Sequence, residues 1–157
     1  MPLTMTDLRG LADRAGLRYF IDPQRDALLM SIRGMHGVHH VLIILELDGN
    51  FLQFRTVDNA FCPLGHPYLE KVLRVIGSIN FRTRVLKVGW DPSDGEIAAY
   101  ADMWVIDGVV GQVQFESMLQ NFLTAFDMNY PRLMQTLATG VDPEGEESPP
   151  AGNSLPD

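Results

Sequence analysis

Residues 40–56 read HVLIILELDGNFLQFRT, two apolar runs (40–47 and 50–56) on either side of Asp48-Gly49. An Asp-Gly pair between such runs favours a two-residue type I′ turn, because both central positions need φ > 0. The turn then sets the register: Leu45 opposite Leu52, Ile43 opposite Phe54 and Val41 opposite Thr56, all on one strongly apolar face. The opposite face pairs Glu46 with Phe51, Ile44 with Gln53 and Leu42 with Arg55. Apolar side chains set among charges on a sheet face mark a part-covered contact surface.

Working outward toward the N-terminus, Gly34 to Gly37 forms a loop before this hairpin. Leu28, Met30 and Ile32 alternate with Leu29, Ser31 and Arg33, and Leu17, Tyr19 and Ile21 alternate with Arg18, Phe20 and Asp22. A Pro23-centred turn lies between these two strands, since Pro presets the backbone for a turn. Thr4 followed by Asp7 makes a capping-box start, and Leu8, Leu11, Ala12 and Ala15 share one helical face, so a helix is expected over 4–15, ended by Gly16.

Toward the C-terminus, His66-Pro67 opens a second helix in which Leu69, Val72, Leu73 and Ile76 recur at helical spacing as far as Asn80. A second hairpin runs over 84–90 and 96–105, with Trp90 opposite Ile97. One of its faces carries Leu86, Val88, Trp90, Ile97, Ala99, Ala101 and Met103, and the other Lys87, Tyr100, Asp102 and Trp104. From residue 112 the residues Phe115, Met118, Leu119, Phe122, Leu123 and Phe126 form an apolar stripe, which Pro131 is expected to interrupt before a short final helix with Leu133, Met134 and Leu137. The element order is α-ββββ-α-ββ-α, an α+β fold: a six-strand antiparallel sheet with helices packed on one face.

At 157 residues the chain fits a single domain with a real core. Five of its 20 acidic residues (Asp142, Glu144, Glu146, Glu147, Asp157) lie in 140–157 with no Lys or Arg. That leaves 15 acidic against 12 basic residues in 1–139, so the domain proper is only mildly acidic. The domain is therefore placed at 1–139, followed by an acidic Pro/Gly-rich disordered tail at 140–157. The net charge of −8 argues against direct nucleic-acid binding, which needs a basic footprint. No apolar run approaches the length of a membrane span and no secretory leader opens the chain, so a cytoplasmic protein is expected, not bound to membrane. With Cys62 as its single cysteine, the chain has no internal disulfide.

Enzyme signatures are absent: there is no G-x-S-x-G, H-E-x-x-H, Walker A loop or G-x-G-x-x-G. The run Asp91-Pro-Ser-Asp-Gly-Glu96 departs from a calcium loop, because Trp90 and Pro92 fall where side-chain oxygens are needed, and it reads as a hairpin turn. His39 and His40 point to opposite faces of a strand and cannot easily bind one metal together; a site of His36 with one of them plus Cys62 or His66 is the alternative, and the histidines read as polar strand-end residues. Cys62 has no evident base, so it reads as a small buried or loop residue. No catalytic residue, cofactor site or metal ligand is assigned.

Several stretches, in this order, resemble the YbjN family of bacterial sensory-transduction regulators, whose domain shares the fold of type III secretion chaperones. They are Leu17-Arg-Tyr-Phe-Ile-Asp22, residues 69–80, Asp91-Pro-Ser-Asp-Gly-Glu96 opening a strand, and residues 115–133 with Asp127-Met-Asn-Tyr-Pro131. The resemblance covers about 4–135 and implies a small cytosolic homodimer that holds a protein client by its apolar surface. It supplies no catalytic residues. The helix-free sheet face is the expected partner or dimer surface, with Leu42, Ile44, Phe51, Tyr100 and Trp104 as its residues, since aromatics give large contact area at low entropy cost. An acidic protein suits a client with a basic surface, such as a nucleic-acid-binding protein. The alternative is a regulatory domain that senses a small ligand between sheet and helices.

Overall fold

The computed structural model describes residues 1–145. They form α1 (Met5–Arg14), β1 (Phe20–Asp22), β2 (Ala27–Arg33), β3 (Val38–Glu46), β4 (Phe51–Thr56), α2 (Leu69–Arg82), β5 (Lys87–Trp90), β6 (Ile97–Trp104) and α3 (Gln112–Thr139). The six strands make one antiparallel sheet in the order β1-β2-β3-β4-β6-β5. No described helix is long and apolar enough to cross a membrane.

The β3–β4 register matches the one the Asp48-Gly49 turn dictates, from Val41 opposite Thr56 to Glu46 opposite Phe51. Leu47, Asp48 and Gly49 all take positive φ, at 50°, 53° and 83°. Gly49 is required for a second reason: a Cβ there would collide with the Leu3 carbonyl oxygen. The start of α1 is a true capping box, with the Asp7 amide donating to Thr4 Oγ1 and the Thr4 amide donating to the Asp7 carboxylate.

All three helices cover one sheet face. Leu8, Leu11 and Ala12 from α1, Val72, Val75, Ile76 and Ile79 from α2, and the α3 stripe share a single core with Leu28, Val41, Ile43, Leu52, Phe54 and Ile97. Phe54 sits at its centre, 5.8 Å from Phe115 and 6.3 Å from Phe122 between ring centroids.

Three element boundaries are corrected. The first strand is only Phe20–Asp22, with Phe20 and Ile21 exposed, not the longer run from Leu17. α2 begins at Leu69, not at Pro67: the His66-Pro67-Tyr68 stretch is a turn in which the Tyr68 amide donates to His66 Nδ1 and the Leu69 amide to the His66 carbonyl. β5 is Lys87–Trp90, shorter than the 84–90 run, and on its outer edge the Asn80 side chain of α2 accepts from the Val88 amide and donates to the Val88 carbonyl. That contact occupies the backbone groups of Val88 that a further strand would use.

Pro131 does not divide the last helix, which runs unbroken over Gln112–Thr139. Proline removes one hydrogen bond, at a cost of about 3 kcal/mol. Leu133 and Leu137, both beyond the proline, are buried in the common core, and each recovers about 1.5–3 kcal/mol on burial. Core packing on both sides of Pro131 therefore outweighs the local defect.

Residues 140–145, at the start of the segment read as tail, are tied to the helices. Gly140 takes the left-handed conformation that ends α3. Asp142 accepts two hydrogen bonds from the nearly buried Arg132 guanidinium, at 2.8 and 2.7 Å, and Glu144 bridges Arg132 and Arg82. The disordered-tail reading of 146–157 lies outside the described residues.

Candidate functional site: the helix-free sheet face

On the face that no helix covers, neighbouring strands align side chains in rows. One row runs Phe20, Leu29, Leu42, Arg55, Tyr100, Lys87; the next Asp22, Ala27, Ile44, Gln53, Asp102; the third Glu46, Phe51, Trp104. The five residues expected from the sequence therefore share one face but not one environment. Leu42 and Ile44 are only 2% and 6% exposed, packed with Ala27 and Val57 in a small cluster of their own. They form a floor, and the exposed side chains of this face stand around it.

Across β4, β6 and β5 the floor gives way to a polar ladder. Arg55 pairs with the nearly buried Glu96 at 2.9 Å, and Glu96 also accepts from the Asp58 amide. Asp102 accepts from Gln53 at 2.8 Å and pairs with Lys87 at 3.2 Å. Tyr100 lies between Arg55 and Lys87, whose charges sit 5.2 and 5.3 Å from its ring centre, within cation–π range. At the far end Phe51 and Trp104 meet edge to face at 5.2 Å, with Trp104 65% exposed. At the opposite end an apolar groove of about 720 Å³ opens between Phe20, Leu29, Leu42 and Val57, flanked by Arg18 and Arg25. Phe20 and Leu29 belong to this surface, and sequence reading missed them. The signal was present: a strand pairing Phe20 with Leu29 puts both on the side of Leu42.

The histidine and cysteine residues weighed as a metal or catalytic set are dispersed into separate structural roles. His40 Nδ1 contacts Ser31 Oγ at 2.8 Å on the outer face, and His66 belongs to the turn before α2. Cys62 is buried, which raises its thiol pKa. Among the described residues no three His, Cys, Asp or Glu side chains come together as a metal cluster. His39 is not a polar strand-end residue: it is 1% exposed, on the core face of β3, between the edges of Phe126 and Tyr130.

The partner of His39 is Asp127 of α3, at 2.7 Å from Nε2. The same carboxylate accepts the amides of Met35 and His36, so one side chain fixes α3, β3 and the β2–β3 loop together. Burial acts to raise the Asp127 pKa, but the hydrogen bonds from His39, His36 and Met35 outweigh it and hold the carboxyl below its ordinary range. This site is on the helix side, away from the outer face. Beside it an apolar cleft of about 510 Å³ runs between α3 and the end of β2, walled by Leu17, Ile32, Leu119 and Leu123.

Comparison with known proteins gives the fold a family. The crystal structure of YbjN from E. coli superposes with a TM-score of 0.63 at 20% identity, covering 85% of this chain and 92% of that one. A chain of the HopA1-SchA chaperone-effector complex gives 0.54 at 11% identity, covering 82% and 91%. A chain of the heterodimeric ExoU-SpcU complex from the type III secretion system of Pseudomonas aeruginosa gives 0.51 at 18% identity, covering 84% and 98%. No curated protein matches. At these identities the likeness is one of fold, and function has to be argued from the site. Residues 4–135 match the family YbjN, described as "Putative bacterial sensory transduction regulator", and with that match over most of its length the chain belongs to the YbjN family.

Proposed function

We propose that this chain is a non-enzymatic, chaperone-like homodimer of the cytoplasm that holds a protein client against the helix-free face of its sheet. The observation that carries the reading is the Phe51–Trp104 pair, half-buried Phe51 against exposed Trp104, on a sheet whose other face is covered by helices. Exposed aromatic side chains of this kind are the usual energetic anchors of protein contacts. The chaperone-effector complex and the heterodimeric secretion-system complex among the structural neighbours support a protein partner. The acidic balance favours a client with a basic surface, through faster encounter. The test is sedimentation equilibrium of the wild type and Trp104→Ala, with a photo-crosslinker at position 51 to report which molecule lies on the face. Dimer or client crosslinks that fall in Trp104→Ala support the reading. A wild-type monomer whose position 51 crosslinks to nothing overturns it.

A second reading rests on the 510 Å³ cleft, whose size falls within the range of small-molecule pockets. There the domain senses a small apolar ligand between α3 and the sheet. A thermal-shift screen checks it: a ligand at 100 times its Kd stabilises by about 2.7 kcal/mol, and Leu123→Trp, which fills the cleft, removes the shift.

A further inference from the structure

A second surface, remote from the sheet face, lies along α2. Lys71, Arg74 and Arg82 of α2 line one groove together with Glu70, Arg132 of α3 and the segment just after α3, and Arg74 pairs with Glu70 at 2.9 Å across one helical turn. Part of this groove already holds acidic side chains of the same chain. Asp142 and Glu144 sit on Arg132, and Glu144 also reaches Arg82 at 2.9 Å. The chain enters beside Tyr68, against which Gly140 is packed so closely that a Cβ would clash with the ring. By Glu144 it has reached Arg82, at the other end of α2. Residues 142–145 form a turn, in which Gly145, at φ 60°, donates its amide to the Asp142 carbonyl. A turn of this kind reverses the chain, and the two residues after Gly145 are Glu146 and Glu147.

We propose that the basic face of α2 is a docking surface for acidic peptide, and that its resident occupant is the chain's own segment 146–157, led by Glu146 and Glu147. The reach agrees. Arg74 lies eight residues from Arg82, or about 12 Å along the helix. Two or three extended residues past Glu144 cover about 7–10 Å, and the long Glu and Arg side chains span the remainder. Lys71 is one turn further along. The docked segment continues the contact that Asp142 and Glu144 begin.

The experiment uses the full chain, a chain ending at Gly145, and the full chain carrying Glu146→Lys with Glu147→Lys. At low salt the amide resonances of Lys71, Arg74, Ser78 and Arg82 should differ between the full and shortened chains, and the double lysine variant should match the shortened chain. In 1 M salt, where charges are screened beyond about 3 Å, the three should converge. A nitroxide on Ser148→Cys, with Cys62 buried and unreactive, should broaden the same α2 signals. A peptide of sequence 146–157 added to the shortened chain should restore the shifts. Identical α2 spectra for the full and shortened chains at low salt, or broadening by the Ser148 label of some other surface, overturns the proposal.

Discussion

Gly34 lies so close to Asp127 that a Cβ on residue 34 would occupy the space of the Asp127 carboxylate. The loop between β2 and β3 is therefore shaped around one acid from a helix more than ninety residues later in the chain. Gly34→Ala must push that carboxylate off the Met35 and His36 amides. Overpacking of this kind costs about 1–3 kcal/mol, and chemical denaturation should show it as a lower midpoint with an unchanged slope.

Asp127→Asn keeps the volume but removes the charge that three donors share. Removing one partner of a buried charged network costs about 3–5 kcal/mol. Hydrogen exchange should show the 34–39 amides opening first, while the amides of β4 and β6 keep their protection.

Acid should weaken the fold through two carboxylates. Hydrogen bonds from Arg132 hold Asp142 below its ordinary value of 3.8, and Asp127 is also held below 3.8. A depressed folded pKa means that the unfolded chain binds the extra protons, so stability rises with pH through the acid range. The contribution is complete well above 3.8 and is lost as pH falls through the lower folded values. Unfolding free energies measured from pH 7 to pH 3 should fall, and Asp127→Asn should flatten the curve.

Buried Thr56 accepts the Ala99 amide at 2.8 Å through Oγ1, where β4 hands over from its ladder with β6 to the following loop. Thr56→Val preserves shape and leaves that amide unpaired. The cost should be about 1–3 kcal/mol, read as a lower thermal midpoint.

The outer-face residues should divide by burial. Trp104→Ala, at an exposed position, should change stability by about 0.5 kcal/mol or less while reducing partner contact. Ile44→Asp puts a charge into the buried floor and should unfold the domain, so it reports on folding, not on docking. Circular dichroism of the two variants separates them.

The strands and their faces were legible because alternation and the Asp-Gly turn are local signals, and a local signal fixes register. Thus Ile43 opposite Phe54 and Trp90 opposite Ile97 follow from spacing alone. The features that escaped depend on distant partners. Pro131 reads as a break until Leu133 and Leu137 are seen in the core. Nothing local marks Asp127 until α3 is laid against Gly34 and His39. Leu42 and Ile44 look part-covered beside charges, yet Ala27 and Val57 close over them. The pairing of β4 with β6 carried no local mark at all, because the loop, α2 and β5 intervene.

That last pairing has a consequence for synthesis on the ribosome. The meander β1–β4 is complete once Thr56 has emerged, but the outer flank of β4 waits for residues 97–104. Closing so long a connection is entropically slow, and an unpaired strand invites aggregation meanwhile. Nascent chains stalled between residues 57 and 96 should be the sticky ones, and release from stalling past Trp104 should end their association with one another.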